Sequence, residues 1–193
     1  MYPITYNFKK IALTNKVTAT DNSGNVILYA HQKMLKLKEK ILIYHDSDKS
    51  EQIGELQADR IIDFSPKQVF TNMQGQRVLS VKRRGRKSIW KANYEINDAN
   101  GELAFRVNED KGWVKVLDSI IGEVFIFGMF TGYFLNPEYN ITNAAGELVG
   151  KIKKQPSFFE SNYTLEVINA DDDPEGLLPV ATMTVITRER MRG

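Results

Sequence analysis

The sequence predicts a mainly β chain whose antiparallel strands close on themselves into a barrel of about eleven or twelve strands. Three observations carry that reading. A short phrase recurs: "INDANGELAF" from Ile96 and "ITNAAGELVG" from Ile141 are nearly identical, with looser forms "ATDNSGNVIL" from Ala19 and "FTNMQGQRVL" from Phe70. Apolar and polar residues alternate on both sides of it, as in "KANYEIN" before Asp98 and "ELAFRV" after Gly101. Such runs are also more numerous than a strongly twisted open sheet comfortably holds, which favours closure.

Each copy of the phrase reads as the tip of a β-hairpin. The Asx side chain bonds its own backbone in a tight turn, and the glycine accepts the positive φ that closes it. The tips fall at 21–24, 72–75, 98–101 and 143–146, with two more turns expected at "HDSDKSEQ" from His45 and "FESN" from Phe159. The spacing between tips is not constant, which excludes a solenoid or propeller and leaves one meandering sheet. In order, the strand-like runs are "KVTATD", "NVILYAHQK", "KILIYHD", "IGELQADRIIDFS", "KQVFTN", "RVLSVKRR", "SIWKANYEIN", "ELAFRV", "NPEYNITN", "ELVGKIKK" and "NYTLEVIN".

Two segments break the alternation. "NEDKGWVKVLDSIIGEV" places Trp113, Val114, Val116, Leu117, Ile120 and Ile121 at helical spacing after an acidic start. Near the C-terminus, Asp171, Asp172 and Asp173 with Pro174 read as a cap region with proline at the first helical position. Arg188, Arg190 and Arg192 then suit a helix C-terminus. Between them, 177–186 is apolar nearly all round, as befits a helix buried on every side. Its threonine and valine content is equally compatible with a strand.

At 193 residues, with 42% hydrophobic and 10% aromatic residues, the chain reads as one domain, or at most two small ones, with a real core. The formal charge is +2, from 26 basic and 24 acidic residues, so no whole-molecule field exists for gripping nucleic acid. Any basic site must be local. The absence of cysteine excludes disulfides, thiolate metal sites and cysteine nucleophiles. "MYPITYNFKK" lacks the apolar core of a secretory signal. The most apolar stretch, 114–135, is interrupted by Lys115, Asp118, Glu123 and three glycines, and reads as buried protein rather than a membrane span.

Extended phrases along the whole chain resemble the LURP-one-related family, within the tubby C-terminal-like superfamily that also holds the phospholipid scramblases. They are "QKMLKLKEKILIYHD", "ADRIIDFS", "SVKRRGRKSIWKANYEI", "GYFLNPEYNI", "KKQPSFFESNYTLEV" and the terminal "RERMRG", in that order. The resemblance implies a single domain over 1–193: a twelve-stranded antiparallel barrel around a central hydrophobic helix, here 177–187. With no catalytic motif above background, the chain is expected to be non-enzymatic. A barrel of that width cannot be filled by inward side chains alone, and an all-round apolar helix supplies the missing surface.

The sharpest local signal is "KRRGRK", where Lys82, Arg83, Arg84, Arg86 and Lys87 gather about Gly85. Guanidinium and ammonium groups on one rim bind phosphates. In tubby-like proteins a similar basic hairpin resembles the phosphoinositide-binding edge, which makes these five residues the expected phosphate or lipid contacts. Alternate strand residues face opposite ways, so all five cannot serve one ligand, and a solvated edge is the competing reading. Lys33, Lys36, Lys38 and Lys40 read as the wet face of a strand. Lys151, Lys153 and Lys154 with Phe158 and Phe159 read as a basic–aromatic patch whose rings belong to the core. His31 and His45 lie apart without carboxylates at ligand spacing, and the 171–173 run lacks the pattern of a calcium loop. No hydrolase or metalloprotease motif occurs.

The expectation is therefore a cytoplasmic binding module, peripheral at membranes, that recognises anionic phospholipid or phosphoinositide head groups. Neither a metal nor a cofactor is expected, nor a nucleic-acid partner, nor a membrane span. The alternatives are a structural or protein-interaction domain with no small ligand, and lipid scrambling. The 177–186 segment is too short to serve the latter as a span.

Overall fold

A computed structural model describes residues 1–11, 14–33, 40–59, 67–84, 93–110, 137–156 and 161–190. Twelve strands follow one another: β1 (Ile4–Ile11), β2 (Thr14–Thr20), β3 (Val26–Lys33), β4 (Ile41–Tyr44), β5 (Gln52–Ala58), β6 (Gln68–Asn72), β7 (Arg77–Arg83), β8 (Asn93–Asn97), β9 (Leu103–Glu109), β10 (Glu138–Asn143), β11 (Leu148–Gln155) and β12 (Ser161–Val167). A helix, α1 (Leu177–Arg190), ends the described chain. Each strand pairs antiparallel with the next, and β1 pairs with β12, so the sheet is a closed barrel.

The repeated phrase now has a physical cause. In each copy the glycine amide donates to the carbonyl of the Asx three positions earlier, at 3.0 Å for Gly24, Gly75 and Gly146 and 3.2 Å for Gly101. These glycines have φ of 84°, 75°, 89° and 92°, respectively. The Asx side chain holds the far side of the turn: Asp21 Oδ1 accepts from the amides of Ser23 and Asn25, both at 2.9 Å. Asn72 Oδ1 does the same for Gln74 and Gln76, at 3.0 and 2.9 Å. Asp98 and Asn143 accept from Glu102 and Glu147, at 2.8 and 3.0 Å. The register shifts by one residue beside each of these tips, the bulge that follows a turn ending in the left-handed region. One local solution to hairpin closure has been used four times.

The strand missing from the sequence expectation is β1. The N-terminal segment is too polar for a secretory signal, yet Ile4, Tyr6 and Phe8 form an inward row and are buried. This strand pairs with β2 on one side and β12 on the other, so it is what closes the barrel. The run from Ile53 read as one long strand stops at Ala58. The helical spacing around Trp113–Ile121, the 114–135 stretch and the first two residues of the expected turn, Phe159 and Glu160, lie outside the described residues. The turn after β4 is present, closed by the His45 amide on the Glu51 carbonyl at 3.0 Å.

α1 threads the barrel lengthwise. Every residue of 177–187 is buried, including Thr182, Thr184 and Thr187. Burying the hydroxyls of Thr184 and Thr187 is tolerated because they bond within the helix: Thr184 donates to the Val180 carbonyl and Thr187 to that of Met183, both at 2.8 Å. Fourteen residues make a helix about 21 Å long. That matches strands of seven or eight residues. Pro179 sits in the first turn, where no intrahelical donor is required, and its carbonyl accepts from the Tyr6 hydroxyl at 2.9 Å.

The helix start corrects one expectation. Pro174 is not the first helical residue; it lies in a turn whose last residue, Gly176, donates to the Asp173 carbonyl at 3.0 Å. The helix begins at Leu177, and the buried Asp173 carboxylate caps it by accepting from the amides of Leu177 and Leu178, at 2.8 and 2.9 Å. Tyr2 donates to the same carboxylate at 3.2 Å. Burial, then that carboxylate, push the Tyr2 phenol well above its ordinary pKa.

Candidate functional site

An antiparallel meander sends alternate connections to opposite ends of the barrel. One end holds the tight turns after β2, β4, β6, β8 and β10, together with the entry to α1. The other receives the connections after β1, β3, β5, β7, β9 and β11, and the last turn of α1. The small net charge hides how unevenly these ends are charged. Among the described residues the turn end carries Asp21, Asp46, Asp48, Glu51, Asp98, Glu102, Glu147 and the 171–175 acids, against the side-chain cations Lys49 and Arg77. Two of these carboxylates, Asp21 and Asp46, are held ionised by turn hydrogen bonds. The Asn25 and Ser23 amides lower the Asp21 pKa, and the Ser50 hydroxyl and amide lower that of Asp46.

The opposite mouth is where "KRRGRK" begins. β7 delivers its last residues to opposite faces of the wall. Lys82 is exposed on the outside, with Glu95 as its cross-strand neighbour. Arg84 is also exposed and pairs with Glu95, Nε to Oε2 at 2.8 Å. Arg83 points inward, its side chain only 7% exposed. Arg86 and Lys87 lie outside the described residues. The five expected contacts therefore do not form one patch: Lys82 and Arg84 share the outer face, and Arg83 belongs to the interior.

Inside, Arg83 meets a group that sequence reasoning missed. Its Nε lies 4.0 Å from Glu189 Oε1 on the last turn of α1. The Tyr94 hydroxyl donates to the same carboxylate oxygen. Burial raises the Tyr94 phenol well above its ordinary pKa and Glu189 raises it further, while Arg188 and Arg83 oppose. Tyr139 is raised by burial, then by Glu189 and Glu109. Tyr163 is pushed up to about 12, chiefly by burial, with Arg190 opposing. Lys154 also points inward, beside Tyr163 across the ladder, and burial followed by Arg190 lowers its pKa. The Arg190 guanidinium carbon stands 5.6 Å from the Phe8 ring centroid, a cation–π contact. Strands β7, β8, β10, β11 and β12 thus bring phenols and cations to the helix end, and β1 brings the Phe8 ring.

These phenols make stability depend on pH. In the unfolded chain a tyrosine ionises near 10.0, whereas the folded chain keeps Tyr94, Tyr139 and Tyr163 protonated beyond that. Above pH 10 the unfolded state therefore binds fewer protons, and stability falls as pH rises. The urea midpoint should stay level from pH 8 to about 9.5 and drop steeply from pH 10 to 12. A level midpoint throughout would contradict buried, neutral phenols.

Other candidates resolve into ordinary surface pairs. Lys40 pairs with Glu55 at 2.7 Å, Lys153 with Glu166 at 2.7 Å, and Lys151 with Glu138 at 3.8 Å. Such exposed pairs contribute little. Lys36, Lys38, Phe158 and Phe159 lie outside the described residues. His31 Nδ1 is 3.3 Å from Lys49 Nζ, and His45 Nδ1 is 3.4 Å from the Ile27 carbonyl. Among the described residues no three metal-ligating side chains converge, and no helix is long and apolar enough to cross a membrane.

No curated protein matches the chain. A family model does: that of the LURP-one-related proteins covers residues 26–175, from the first residue of β3 to the turn before α1. The strands that close the barrel, β1 and β2, and the helix that fills it flank the matched range. A twelve-stranded closed barrel with one C-terminal helix agrees with the tubby-like architecture that this match implies, and the chain belongs to the LURP-one-related family.

Proposed function

We propose that the chain is a non-enzymatic binding module that presents its cationic mouth to anionic phospholipid or phosphoinositide head groups, as a cytoplasmic protein peripheral at the membrane. The observation that carries this reading is the separation of charge along the barrel axis. The turn end is acidic, while the exposed Lys82 and Arg84 belong to the opposite mouth. A negatively charged surface attracts one end and repels the other, so it orients the barrel as well as binding it. Membership of a tubby-like family supports a lipid ligand. We take 1–193 as one domain, because β1, β2 and α1 complete the unit that the matched range leaves open.

The test is co-sedimentation with phosphatidylcholine vesicles, with and without phosphatidylserine. Binding is expected only with the anionic lipid and should weaken steeply as salt rises. Each cation near such a surface contributes roughly 1 kcal/mol, so joint Lys82, Arg84 and Arg86→Ala should weaken binding about a hundredfold. Arg83 is left intact because its side chain faces inward. No sedimentation at low salt would remove this reading. A stoichiometric protein partner indifferent to the three substitutions would favour an interaction domain instead.

A further inference from the structure

We infer that the turn end is a docking face for a basic, aliphatic peptide segment of a partner protein. Its seat is a cleft of about 410 Å³ beside the entry to α1. Every connection of this end lies within the described residues, so its surface is defined throughout. The cleft opens between the tips of the β8–β9 and β10–β11 hairpins and the 172–175 segment that leads into the helix. Ala104, Phe105, Pro174 and Leu177 give it an apolar lining, and Asp98, Asp172 and Glu175 supply carboxylates. Among the described residues none of these three acids forms an ion pair. The side-chain cations of this end are engaged elsewhere. Lys49 Nζ lies 3.3 Å from His31 Nδ1, and Arg77 donates to the Ala99 carbonyl at 2.8 Å.

An apolar lining with carboxylates suits a lysine or arginine side chain. The methylene stem packs on the apolar surface while the charged head meets the acids. An anion is disfavoured, because the acids repel it and the Leu177 and Leu178 amides are already taken by Asp173. Apolar surface also extends past the cleft. The large hydrophobic residues exposed among the described ones are Met1, Met73, Leu148 and Ile168, and all four lie at this end. Leu148 follows the hairpin tip that walls the cleft, and the Ile168 amide donates to the carbonyl of its neighbour Val149 at 2.9 Å. Exposed apolar groups gathered at one end, rather than scattered, mark a protein-interaction surface. A small amine fills the cleft without covering them, whereas a peptide of basic and aliphatic residues does both. This face is remote from the mouth assigned to lipid, and the inference does not rest on that assignment.

The test is fluorescence anisotropy of a labelled peptide that alternates lysine and leucine, titrated with the full chain. A lysine–serine peptide of equal length and charge is the control. The lysine–leucine peptide should bind, weaken as salt rises, and exceed the lysine–serine peptide about tenfold. Joint Asp172→Asn and Glu175→Gln should weaken it about fivefold. Joint Leu148→Ser and Ile168→Ser should do the same. Asp48→Asn with Glu51→Gln removes equal charge from the β4–β5 turn, across the barrel end from the cleft, and should change affinity less than about twofold. Unchanged melting profiles show that these surface variants are folded. The triple variant of the mouth should lose vesicle binding and keep peptide binding, which separates failure here from failure of the lipid reading. No binding of the lysine–leucine peptide at low salt overturns the inference. So does an equal loss from the β4–β5 variant, or equal affinity for the lysine–serine peptide. Displacement by spermidine at concentrations matching the peptide's own affinity would assign the cleft to a polyamine and overturn the docking face.

Discussion

Met183→Asp is expected to abolish folding. Met183 is 2% exposed and lies in the middle of α1, with barrel wall on every side. An ionised carboxylate there has no partner, and even the protonated form must give up water for an apolar surround, at a cost of several kcal/mol. The loss of the thioether packing adds about 2–5 kcal/mol. Since a domain is stable by only about 5–15 kcal/mol, the sum leaves little or nothing. Val185→Asp should behave alike, because Val185 is 1% exposed. Ile168→Asp, at a position 66% exposed, introduces the same charge and should leave the barrel folded. Circular dichroism and thermal melting separate the cases, and a native-like melt of Met183→Asp would be fatal to the buried-helix assignment.

The second large effect is expected from Asp173→Ala. One buried carboxylate serves the Leu177 and Leu178 amides and the Tyr2 hydroxyl. Alanine leaves two backbone donors at a helix start that is closed to water, and each unsatisfied donor costs about 1–3 kcal/mol. A loss on the order of 3 kcal/mol follows, read as a lower urea midpoint with an unchanged slope. Tyr2→Phe removes only the hydroxyl and should cost about 1 kcal/mol or less. A change within about 0.5 kcal/mol for Asp173→Ala would mean that the cap is replaceable.

Much of this architecture was legible because it is local. An Asx followed three positions later by glycine carries its own turn chemistry, and four such turns with alternating flanks imply an antiparallel meander. The burial of 177–187 was legible for the same reason: no face of that segment is polar enough to meet water. β1 was hidden by composition, since Tyr6 is a core residue whose hydroxyl needs the Pro179 carbonyl, and nothing near it in sequence announces that partner. The helix start was misjudged because Asp-Pro-Glu-Gly carries two signals, a cap and a turn, and the turn took the proline.

The candidate site was less legible. Its outer half follows from the basic run and from strand alternation, which already separates Arg83 from Lys82 and Arg84. Its inner half joins residues far apart in the chain: Tyr94 and Glu189 are 95 positions apart. Only closure of the barrel and the length of the helix bring them together. The charge separation between the two ends was equally invisible in a net value of +2, because it depends on which connections the meander sends to which end.

The central claim is that α1 is the filling of a closed barrel, and amide hydrogen exchange on the full chain tests it most directly. If the helix is enclosed by twelve paired strands, it cannot open without opening the barrel. The amides of 181–187 should then exchange only through global unfolding, as slowly as those of β7 and β12, with a free energy equal to that from urea denaturation. Exchange of those amides within minutes, while the strands stay protected, would show a helix that leaves the barrel on its own and would contradict the account.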